Sequence, residues 1–281
     1  MRRPPNAPTS RPPTALTVAG SDCSGGAGIE ADLKTFAAHG VYGMAAVTCV
    51  VAETPCRVVS IQPVRSEIVA EQTACCLGGL RDVAVKTGML YSAAIIRAVA
   101  RAIGAHRTAI RHLAVDPVMV ATSGARLLRE DAIRALQDFL AERADLVTPN
   151  LDEAAILDDG RRPESRAEME AAAGRIAARY GCAVLMKGGH LRRTRSAPDF
   201  FTDGTNGFWM ETRRIRGIAT HGTGCTFSAA VTAHLALGRS LPVAVRCAKR
   251  FLTSAIRRSC RLGPWMALNH LQGTARRLDR P

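Results

Sequence analysis

Residues 15–22 read Ala-Leu-Thr-Val-Ala-Gly-Ser-Asp, a mostly apolar run that ends in polar residues. The glycine-rich segment Ser24-Gly-Gly-Ala-Gly28 follows, and apolar residues then recur with helical spacing from 29 to 38. A short apolar run bounded by turn residues favours a buried strand, and strands that are joined through helices can pair in parallel. The chain therefore begins with a predicted strand, a tight turn and a helix.

The same alternation continues to residue 260. Further strands are predicted at 43–52, 83–86, 112–116, 146–148 and 183–186, with a hairpin formed by 199–202 and 208–212. Helices are predicted at 66–80, 92–103, 129–142, 164–180, 226–237 and 243–260, and another starts at 151. Apolar strands that alternate with helices indicate a mostly parallel sheet with helices on both faces. We predict a three-layer α/β/α fold, with one domain from 14 to 272, a disordered Arg/Pro-rich tail at 1–13 and a basic tail at 273–281.

The charge of the chain is strongly positive. Its 281 residues include 38 Lys and Arg against 24 Asp and Glu, which gives a net charge of +14. The arginine clusters contain no interleaved aromatic residues that could stack on bases, and aromatic residues make up only 4% of the chain. We therefore expect the basic surface to attract anionic substrates, and we expect no nucleic-acid partner.

The cysteines and the apolar runs bear on location. Nine cysteines occupy irregular positions without a Cys-x-x-Cys pair, which fits free thiols in a reducing compartment. No run approaches the ~18 apolar residues that are needed to span a bilayer. The first 13 residues lack the apolar stretch of a signal peptide. We predict a cytoplasmic protein with no membrane partner.

A second glycine-rich turn reads His221-Gly-Thr-Gly-Cys-Thr226 and leads directly into a predicted helix. Glycines allow consecutive N–H groups to converge on an anion, and the positive end of the helix adds to that cradle. Cys225 lies inside the turn, where such N–H groups are expected to lower its pKa. An anion cradle that contains a base is what phosphoryl transfer to a hydroxyl requires, although many glycine-rich turns only end a strand.

Polar residues follow most of the predicted strands. They include Asp22, residues 86–89, Asp116, Asn150 and residues 187–190. Ligands of parallel sheets bind beyond the carboxyl ends of the strands. We therefore expect these residues to share one cleft.

Taken together, these segments resemble the hydroxymethylpyrimidine/phosphomethylpyrimidine kinases of thiamine biosynthesis, within the ribokinase-like superfamily. The resemblance covers about residues 14 to 272. It is carried, in the family's order, by Ala15-Leu-Thr-Val-Ala-Gly-Ser-Asp22, Ser24-Gly-Gly-Ala-Gly28, Ala31-Asp-Leu-Lys-Thr-Phe36, Lys86-Thr-Gly-Met-Leu90, Asp116-Pro-Val-Met-Val120 with Ser123-Gly124, Thr148-Pro-Asn-Leu151, Leu185-Met-Lys-Gly-Gly-His190 and His221-Gly-Thr-Gly-Cys-Thr226. Sugar kinases of the superfamily typically have aspartate where this chain has Cys225, so the cysteine points to the pyrimidine and pyridoxal branch.

The resemblance implies roles at the acceptor side of the cleft. Cys225 would be the general base, although it could also be a small buried apolar residue. The N–H groups of Gly222, Thr223, Gly224 and Cys225 would hold the charge of the transferred phosphoryl group. Asp32 would accept a hydrogen bond from the substrate hydroxyl, although a helix-surface aspartate paired with Lys34 is the alternative. The remaining substrate contacts would come from Gly20, which lets a flat ring approach, and from the apolar Val51, Met89 and Val118.

The resemblance also implies ATP and Mg²⁺ as cofactors. Lys187 would neutralise phosphate charge, Gly188 would keep the strand end open, and Thr223 would contact the nucleotide. Asp116, Asn150 and Glu153 would organise Mg²⁺ and its waters, because Mg²⁺ prefers oxygen ligands and retains water. Asn150 could equally be a plain N-cap of the next helix, with Glu153 completing the capping pattern.

One position departs from the family pattern. Glu53 occurs where the family commonly has glutamine, whose amide can both donate and accept, whereas an ionised glutamate only accepts. The resemblance implies phosphorylation of 4-amino-5-hydroxymethyl-2-methylpyrimidine and of its monophosphate as the expected activity, and the departure at Glu53 leaves a pyridoxal or pyridoxine kinase as the alternative. A non-catalytic protein that binds anions or nucleic acid is a third possibility. The resemblance suggests a homodimer.

Overall fold

The structure, a computed structural model, describes residues 11–119, 130–192, 194–215 and 221–271. The predicted C-terminal tail, most of the predicted N-terminal tail, and Val120, Ser123 and Gly124 of the family motifs lie outside these ranges. Within them, eleven strands occur: β1 (Thr14–Asp22), β2 (Tyr42–Thr54), β3 (Arg57–Pro63), β4 (Val83–Thr87), β5 (Ile110–Val115), β6 (Leu146–Val147), β7 (Ala183–Lys187), β8 (Ser196–Thr202), β9 (Gly207–Arg213), β10 (Cys260–Leu262) and β11 (Trp265–Ala267).

Eight α-helices connect or follow these strands in the described ranges. They are α1 (Gly28–Ala38), α2 (Ser66–Leu77), α3 (Ala93–Ala105), α4 (Glu130–Arg143), α5 (Leu151–Leu157), α6 (Arg166–Tyr180), α7 (Thr223–Ala236) and α8 (Leu241–Arg257). Every predicted helix is confirmed, with bounds that differ by a few residues.

The first nine strands form one sheet in the order β3-β2-β1-β4-β5-β6-β7-β8-β9. The six adjacent strands β2, β1, β4, β5, β6 and β7 pair in parallel. At the two edges, β3 pairs antiparallel with β2, β8 pairs antiparallel with β7, and β9 pairs antiparallel with β8. The predicted mostly parallel sheet is thus confirmed. The edge strand β3 was not predicted, because Arg57–Pro63 is largely exposed and contains no continuous apolar run.

Side chains alternate between the two faces of the sheet and so build two separate cores. Val83 and Val85 of β4 belong to the larger core, which α2 to α6 cover. Ala84 lies on the opposite face, in the core that α7 and α8 cover. Phe36 of α1 packs on that same side against Ala229 and Ala233 of α7. This arrangement confirms three layers and brings the beginnings of α1 and α7 to the carboxyl ends of β1 and β4.

Two further expectations concern cysteines and membranes. All nine cysteines lie in the described ranges and all are free thiols, as predicted. Among the described helices, none combines the length and the apolar composition that a membrane crossing requires.

Candidate functional site

A cavity of about 900 Å³ opens at the carboxyl ends of the parallel strands. Thirteen of the fifteen residues that the sequence assigned to a site line it, namely Gly20, Val51, Glu53, Met89, Asp116, Val118, Asn150, Glu153, Lys187, Gly222, Thr223, Gly224 and Cys225. The two exceptions are Asp32 and Gly188, which lie behind the wall. The predicted shared cleft is therefore present.

The turn that precedes α7 depends on Gly222. This residue is the N-cap of α7 and has a φ of +76°, in the left-handed region. A Cβ atom at this position would lie 1.8 Å from the carbonyl oxygen of Gly26, in the glycine-rich loop after β1. The two glycine-rich segments thus contact each other through backbone atoms. Their contact directs the positive N-terminal end of α7 into the cavity.

Cys225 lies in the first turn of α7 and is half-buried, with part of its surface on the cavity. Burial raises the pKa of its thiol to about 11, and the positive charge of Lys86 opposes that rise only in part. The expectation that the turn lowers the Cys225 pKa is therefore wrong. Loss of solvation is larger than the stabilisation that the Gly28 N–H and the nearby charge provide. The thiol retains its proton at neutral pH.

Asp32 is fully buried and forms an ion pair with Lys86, which is also fully buried. The Lys86 Nζ atom lies 2.8 Å from Oδ1 and 2.6 Å from Oδ2 of Asp32, and the Thr17 hydroxyl donates to Oδ2 at 2.7 Å. The location differs from both sequence-based alternatives. Asp32 neither lines the cavity nor pairs with Lys34 on the surface; of the two hydrogen-bond partners of its side chain among the described residues, Lys86 lines the cavity and Thr17 does not.

A His–Asp pair joins the two glycine-rich segments. The Nε2 atom of His221 lies 2.8 Å from Oδ2 of Asp22. Burial raises the pKa of Asp22, but hydrogen bonds from His221, Ser24 and Ala27 outweigh it and lower the pKa to about 2. Glu53 lies close by, since one ligand atom from each of Asp22, Glu53 and His221 falls within 4.8 Å of the others.

That three-residue cluster has the composition of a metal site, but its hydrogen bonds argue against one. Asp22 already accepts from the Ser24 N–H at 2.7 Å, the Ser24 hydroxyl at 2.9 Å and the Ala27 N–H at 2.8 Å, in addition to His221. A carboxylate has about four acceptor sites. Asp22 therefore holds the loop in place instead of presenting a free ligand.

Glu53 belongs to this cluster and carries a perturbed carboxyl group. Burial and the negative charge of Asp22 raise the pKa of Glu53 to about 7, and His221 lowers it only slightly. The carboxyl group is half-buried and lines the cavity. At neutral pH it is present in both protonated and ionised forms.

On the other side of the cavity, Asp116 and Lys187 form a buried ion pair. Lys187 Nζ donates to Oδ1 of Asp116 at 2.7 Å, Thr148 donates to the same oxygen at 3.0 Å, and Ser228 donates to Oδ2 at 3.2 Å. Burial raises the pKa of Asp116, but the charges of Lys187 and Lys86 outweigh it, so its pKa is lowered overall. Asp116 is thus an ionised carboxylate beside a cation.

Asn150 and Glu153 form a complete capping box at the start of α5. The Asn150 side-chain oxygen accepts from the N–H groups of Asp152 and Glu153, each at 2.9 Å, and Glu153 Oε2 accepts from the Asn150 N–H at 2.8 Å. The N-cap alternative is therefore confirmed. Glu153 is 2% exposed, and burial raises its pKa to about 7. Two buried carboxyl groups, Asp116 and Glu153, supply the hard oxygen donors that Mg²⁺ prefers.

Gly188 lies behind the cavity wall and affects how β7 packs against β8. Its N–H donates to Asp199 at 2.9 Å, and a Cβ atom at Gly188 would lie 2.2 Å from the Pro198 carbonyl oxygen. Asp199 in turn accepts from Lys249 of α8 at 2.5 Å. Gly188 therefore permits the close approach of β7 and β8 that fixes Lys187 at the strand end.

The sequence placed Lys86 in the expected cleft without a role of its own, and it did not identify Lys249. Both are buried cations that line the cavity. Lys86 belongs to a family motif but received no role of its own. Lys249 lies among the apolar residues that α8 buries. A lysine within such an apolar face is the sequence feature that could have indicated a buried cation at this position.

Comparisons with known proteins agree with this geometry. A family model described as phosphomethylpyrimidine kinase matches residues 22–269. The hydroxymethylpyrimidine/phosphomethylpyrimidine kinase of Rhizobium meliloti is 44% identical over 248 residues, which cover 88% of this chain and 92% of that protein.

Solved structures are similar over most of the chain. Bacillus subtilis pyridoxal kinase, determined as an ADP complex, has a TM-score of 0.84 at 39% identity and covers 95% of this chain and 99% of its own. The phosphomethylpyrimidine kinase of Clostridium difficile has a TM-score of 0.75 at 35% identity and covers 86% of this chain and 99% of its own. The predicted ribokinase-like fold is confirmed.

Proposed function

Because the chain belongs to the phosphomethylpyrimidine kinase family, we infer that it uses ATP to phosphorylate 4-amino-5-hydroxymethyl-2-methylpyrimidine and then its monophosphate, on the route to thiamine diphosphate. One observation carries this inference beyond family membership. Cys225, Glu53 and the Asp116–Lys187 pair all line the same cavity. A candidate proton acceptor, a polar group suited to a heteroaromatic ring and a cation suited to phosphates therefore line one cavity.

The acceptor ring would lie against Gly20 and the apolar wall of Val51, Met89 and Val118. A Cβ atom at Gly20 would meet the Cys49 sulfur at 2.8 Å, so only glycine keeps this wall flat. A protonated Glu53 can donate to a ring nitrogen and accept from an exocyclic amine, as a glutamine amide does. Its raised pKa of about 7 makes that form available near neutrality. Glu53 can therefore perform the task of the family's glutamine.

Cys225 would act on the hydroxyl group of the first substrate. The thiol, which is protonated at rest, first loses its proton to solvent. The thiolate then takes the hydroxyl proton, the oxygen forms a bond to the γ-phosphorus, and the bond between that phosphorus and the ADP oxygen breaks. A base with a pKa of about 11 accepts the proton of a weakly acidic alcohol more readily than an ordinary thiolate does. The N-terminal end of α7 stabilises the charge on the transferred group.

Lys187 would contact the phosphates of ATP, held in place by Asp116. We include Mg²⁺ in the proposal, with Asp116 and Glu153 as the residues that would hold it through its waters. When bound, Mg²⁺ neutralises charge that develops on the phosphate oxygens. Asn150 would act indirectly, because its side-chain oxygen is committed to the cap of α5.

The test uses Cys225→Ala in a coupled ADP-release assay with each acceptor. We expect turnover of the alcohol to fall by ~10²–10⁴-fold, the usual effect of losing a general base. Turnover of the monophosphate should fall much less, because a phosphate dianion has no proton to remove. Unchanged single-turnover rates with the alcohol would place the base elsewhere.

A pyridoxal kinase is the second candidate. The observation that favours it is the TM-score of 0.84 with Bacillus subtilis pyridoxal kinase, above the 0.75 found with the Clostridium difficile phosphomethylpyrimidine kinase. Both substrates are flat heteroaromatic alcohols. Competition between them at limiting ATP measures the preference directly, and a higher kcat/KM for pyridoxal would reverse the order of the two proposals.

We also propose a cytoplasmic homodimer. Tyr42, Val50 and Val59 are 63%, 52% and 64% exposed on β2 and β3, at the edge of the sheet. A second copy that covers this edge would remove apolar surface from water. Light scattering coupled to size exclusion gives the mass in solution, and a monomeric mass would contradict the proposal.

A further inference from the structure

The buried pair of Lys86 and Asp32 is more than a stabilising contact. Both side chains are 0% exposed, and the two Asp32 oxygens lie 2.6 and 2.8 Å from Lys86 Nζ. Removing two charges from water is costly, and apolar residues of similar volume often stabilise a protein as well as a buried pair does. Stability alone therefore does not account for two charges at this place.

The sheet directs Lys86 towards the candidate site. Lys86 pairs with Thr17 of β1 and with Ala114 of β5, so it lies in the centre of the sheet. It shares a face with Ala84, which packs in the core covered by α7. Near the open end of β4, a Cβ atom at Gly88 would lie 3.3 Å from the Lys86 ammonium. The ammonium group thus reaches the same cavity that Cys225 lines.

Several charged groups face Cys225 from the surrounding elements. Lys86 on β4 lowers the pKa of Cys225, whereas Asp32 on α1 and Asp116 after β5 raise it, and the N–H of Gly28 lowers it. Lys187 at the end of β7 also interacts electrostatically with the sulfur, since a Cys225 thiolate raises the pKa of Lys187. Burial remains the largest influence on the pKa of Cys225, and Lys86 is the charge that most opposes it.

We propose that Lys86 stabilises the Cys225 thiolate through its charge and that Asp32 fixes Lys86 in position. Lys86 keeps its proton throughout, while the thiol loses its own proton to solvent and later takes the proton of the acceptor hydroxyl. This inference rests on the proposed role of Cys225 as the base. Lys86 is a positioning residue in this scheme, because it acts through the sulfur.

Alkylation of Cys225 by iodoacetamide in the full-length protein tests the proposal without turnover. Only the thiolate reacts, so the rate at a fixed pH reports the thiolate fraction, and peptide mass spectrometry separates Cys225 from the other eight cysteines. In Lys86→Met the rate should fall by about tenfold, which corresponds to one pKa unit. In Asp32→Asn the rate should rise, because the asparagine oxygen still accepts a hydrogen bond from Lys86 and holds it in place, whereas a negative charge that raises the pKa of Cys225 is gone.

The opposite signs distinguish charge from structure. A pair that only supports the fold would, when broken, open the cavity and raise both rates, and that result would overturn the proposal. If Lys86→Met does not fold, Lys86→Gln replaces it, because glutamine removes the charge while keeping a hydrogen-bond donor for Asp32. The same slow alkylation rate is expected in Lys86→Gln. The double variant Lys86→Met with Asp32→Asn should react at a rate between those of the single variants.

Lys249→Met provides a matched control. Lys249 also forms a buried pair, with Asp199 at 2.5 Å, but the charges that act most strongly on Cys225 do not include it. The Cys225 alkylation rate should therefore be unchanged in this variant. If Cys225→Ala leaves turnover intact, the proposed role of Cys225 as the base fails, while the alkylation rates of the variants that retain Cys225 still decide whether Lys86 and Cys225 are coupled.

Discussion

Replacing Gly222 by alanine tests whether the geometry of the turn before α7 is required for turnover. Alanine adds a Cβ atom 1.8 Å from the Gly26 carbonyl oxygen and 2.7 Å from its carbon. Non-bonded heavy atoms need roughly 3.5 Å, so the two backbone segments must separate by roughly 1.7 Å. The left-handed φ of +76° adds about 1–2 kcal/mol of strain in a residue with a side chain.

A displacement of this size should have a large kinetic effect. Misplacing reacting groups by about 1 Å can cost ~10²-fold in rate, and loss of a preorganised anion contact costs ~10²–10³-fold. We therefore expect kcat of Gly222→Ala to fall by at least ~10²-fold in the ADP-release assay. Thermal unfolding should also occur several degrees lower, because about 1 kcal/mol corresponds to ~2–4 °C in a chain of this size.

Gly40→Ala separates strain from collision. Gly40 has a φ of +70°, but beyond its chain neighbours no atom of the described residues lies within 4 Å of the position that a Cβ would take. It should show the loss in stability without a change in kcat. A Gly222→Ala enzyme that turns over within about threefold of wild type, with Gly40→Ala destabilised as expected, would refute the role of the turn.

Three further predictions concern charged groups of the site. In the wild type, KM for the pyrimidine alcohol should rise roughly tenfold from pH 6 to pH 8, because Glu53, with its pKa of about 7, ionises over this range. In Glu53→Gln, KM should be independent of pH. A flat wild-type profile would contradict this prediction. Asp22→Asn should lower the free energy of unfolding by about 2 kcal/mol at pH 7. Because the folded pKa of Asp22 is about 2 against an ordinary 3.8, this difference should disappear as the pH of urea titrations falls from 4 to 2. Lys187→Met leaves the buried Asp116 without its ion-pair partner, and the free energy of unfolding measured with denaturant should fall by about 3–5 kcal/mol. Arg134→Ala breaks an exposed ion pair and should lower the free energy of unfolding by no more than about 0.5 kcal/mol. Similar losses of stability in both variants would contradict the assigned burial.

The strands and helices could be predicted because their apolar runs are bounded by clear turn residues. The order of the motifs along the chain also predicted the fold and most of the cavity wall. The edge strand β3 could not be predicted in this way, since an exposed strand such as Arg57–Pro63 depends on its pairing with β2 and not on an apolar pattern.

The properties of Asp32 and Cys225 depend on packing that the sequence does not display. Asp32 contacts Thr17 and Lys86, which are 15 and 54 residues away along the chain, only because β1 and β4 pair in one register under α1. The motif around Cys225 predicts favourable N–H groups, but the pKa depends on how far the sulfur is removed from water. Here the loss of solvation raises the pKa of Cys225 by more than the N–H groups lower it.

The contact between α1 and α7 has a consequence for biosynthesis. Phe36 leaves the ribosome early, whereas Ala229 and Ala233, which cover it, are among the last core residues to be made. Until α7 emerges, α1 alone covers that side of the central strands, and the nascent chain exposes apolar surface. Products that terminate before α7 therefore lack the α7 and α8 part of their interior together with the sulfur of Cys225, and we expect them to be bound by chaperones or degraded.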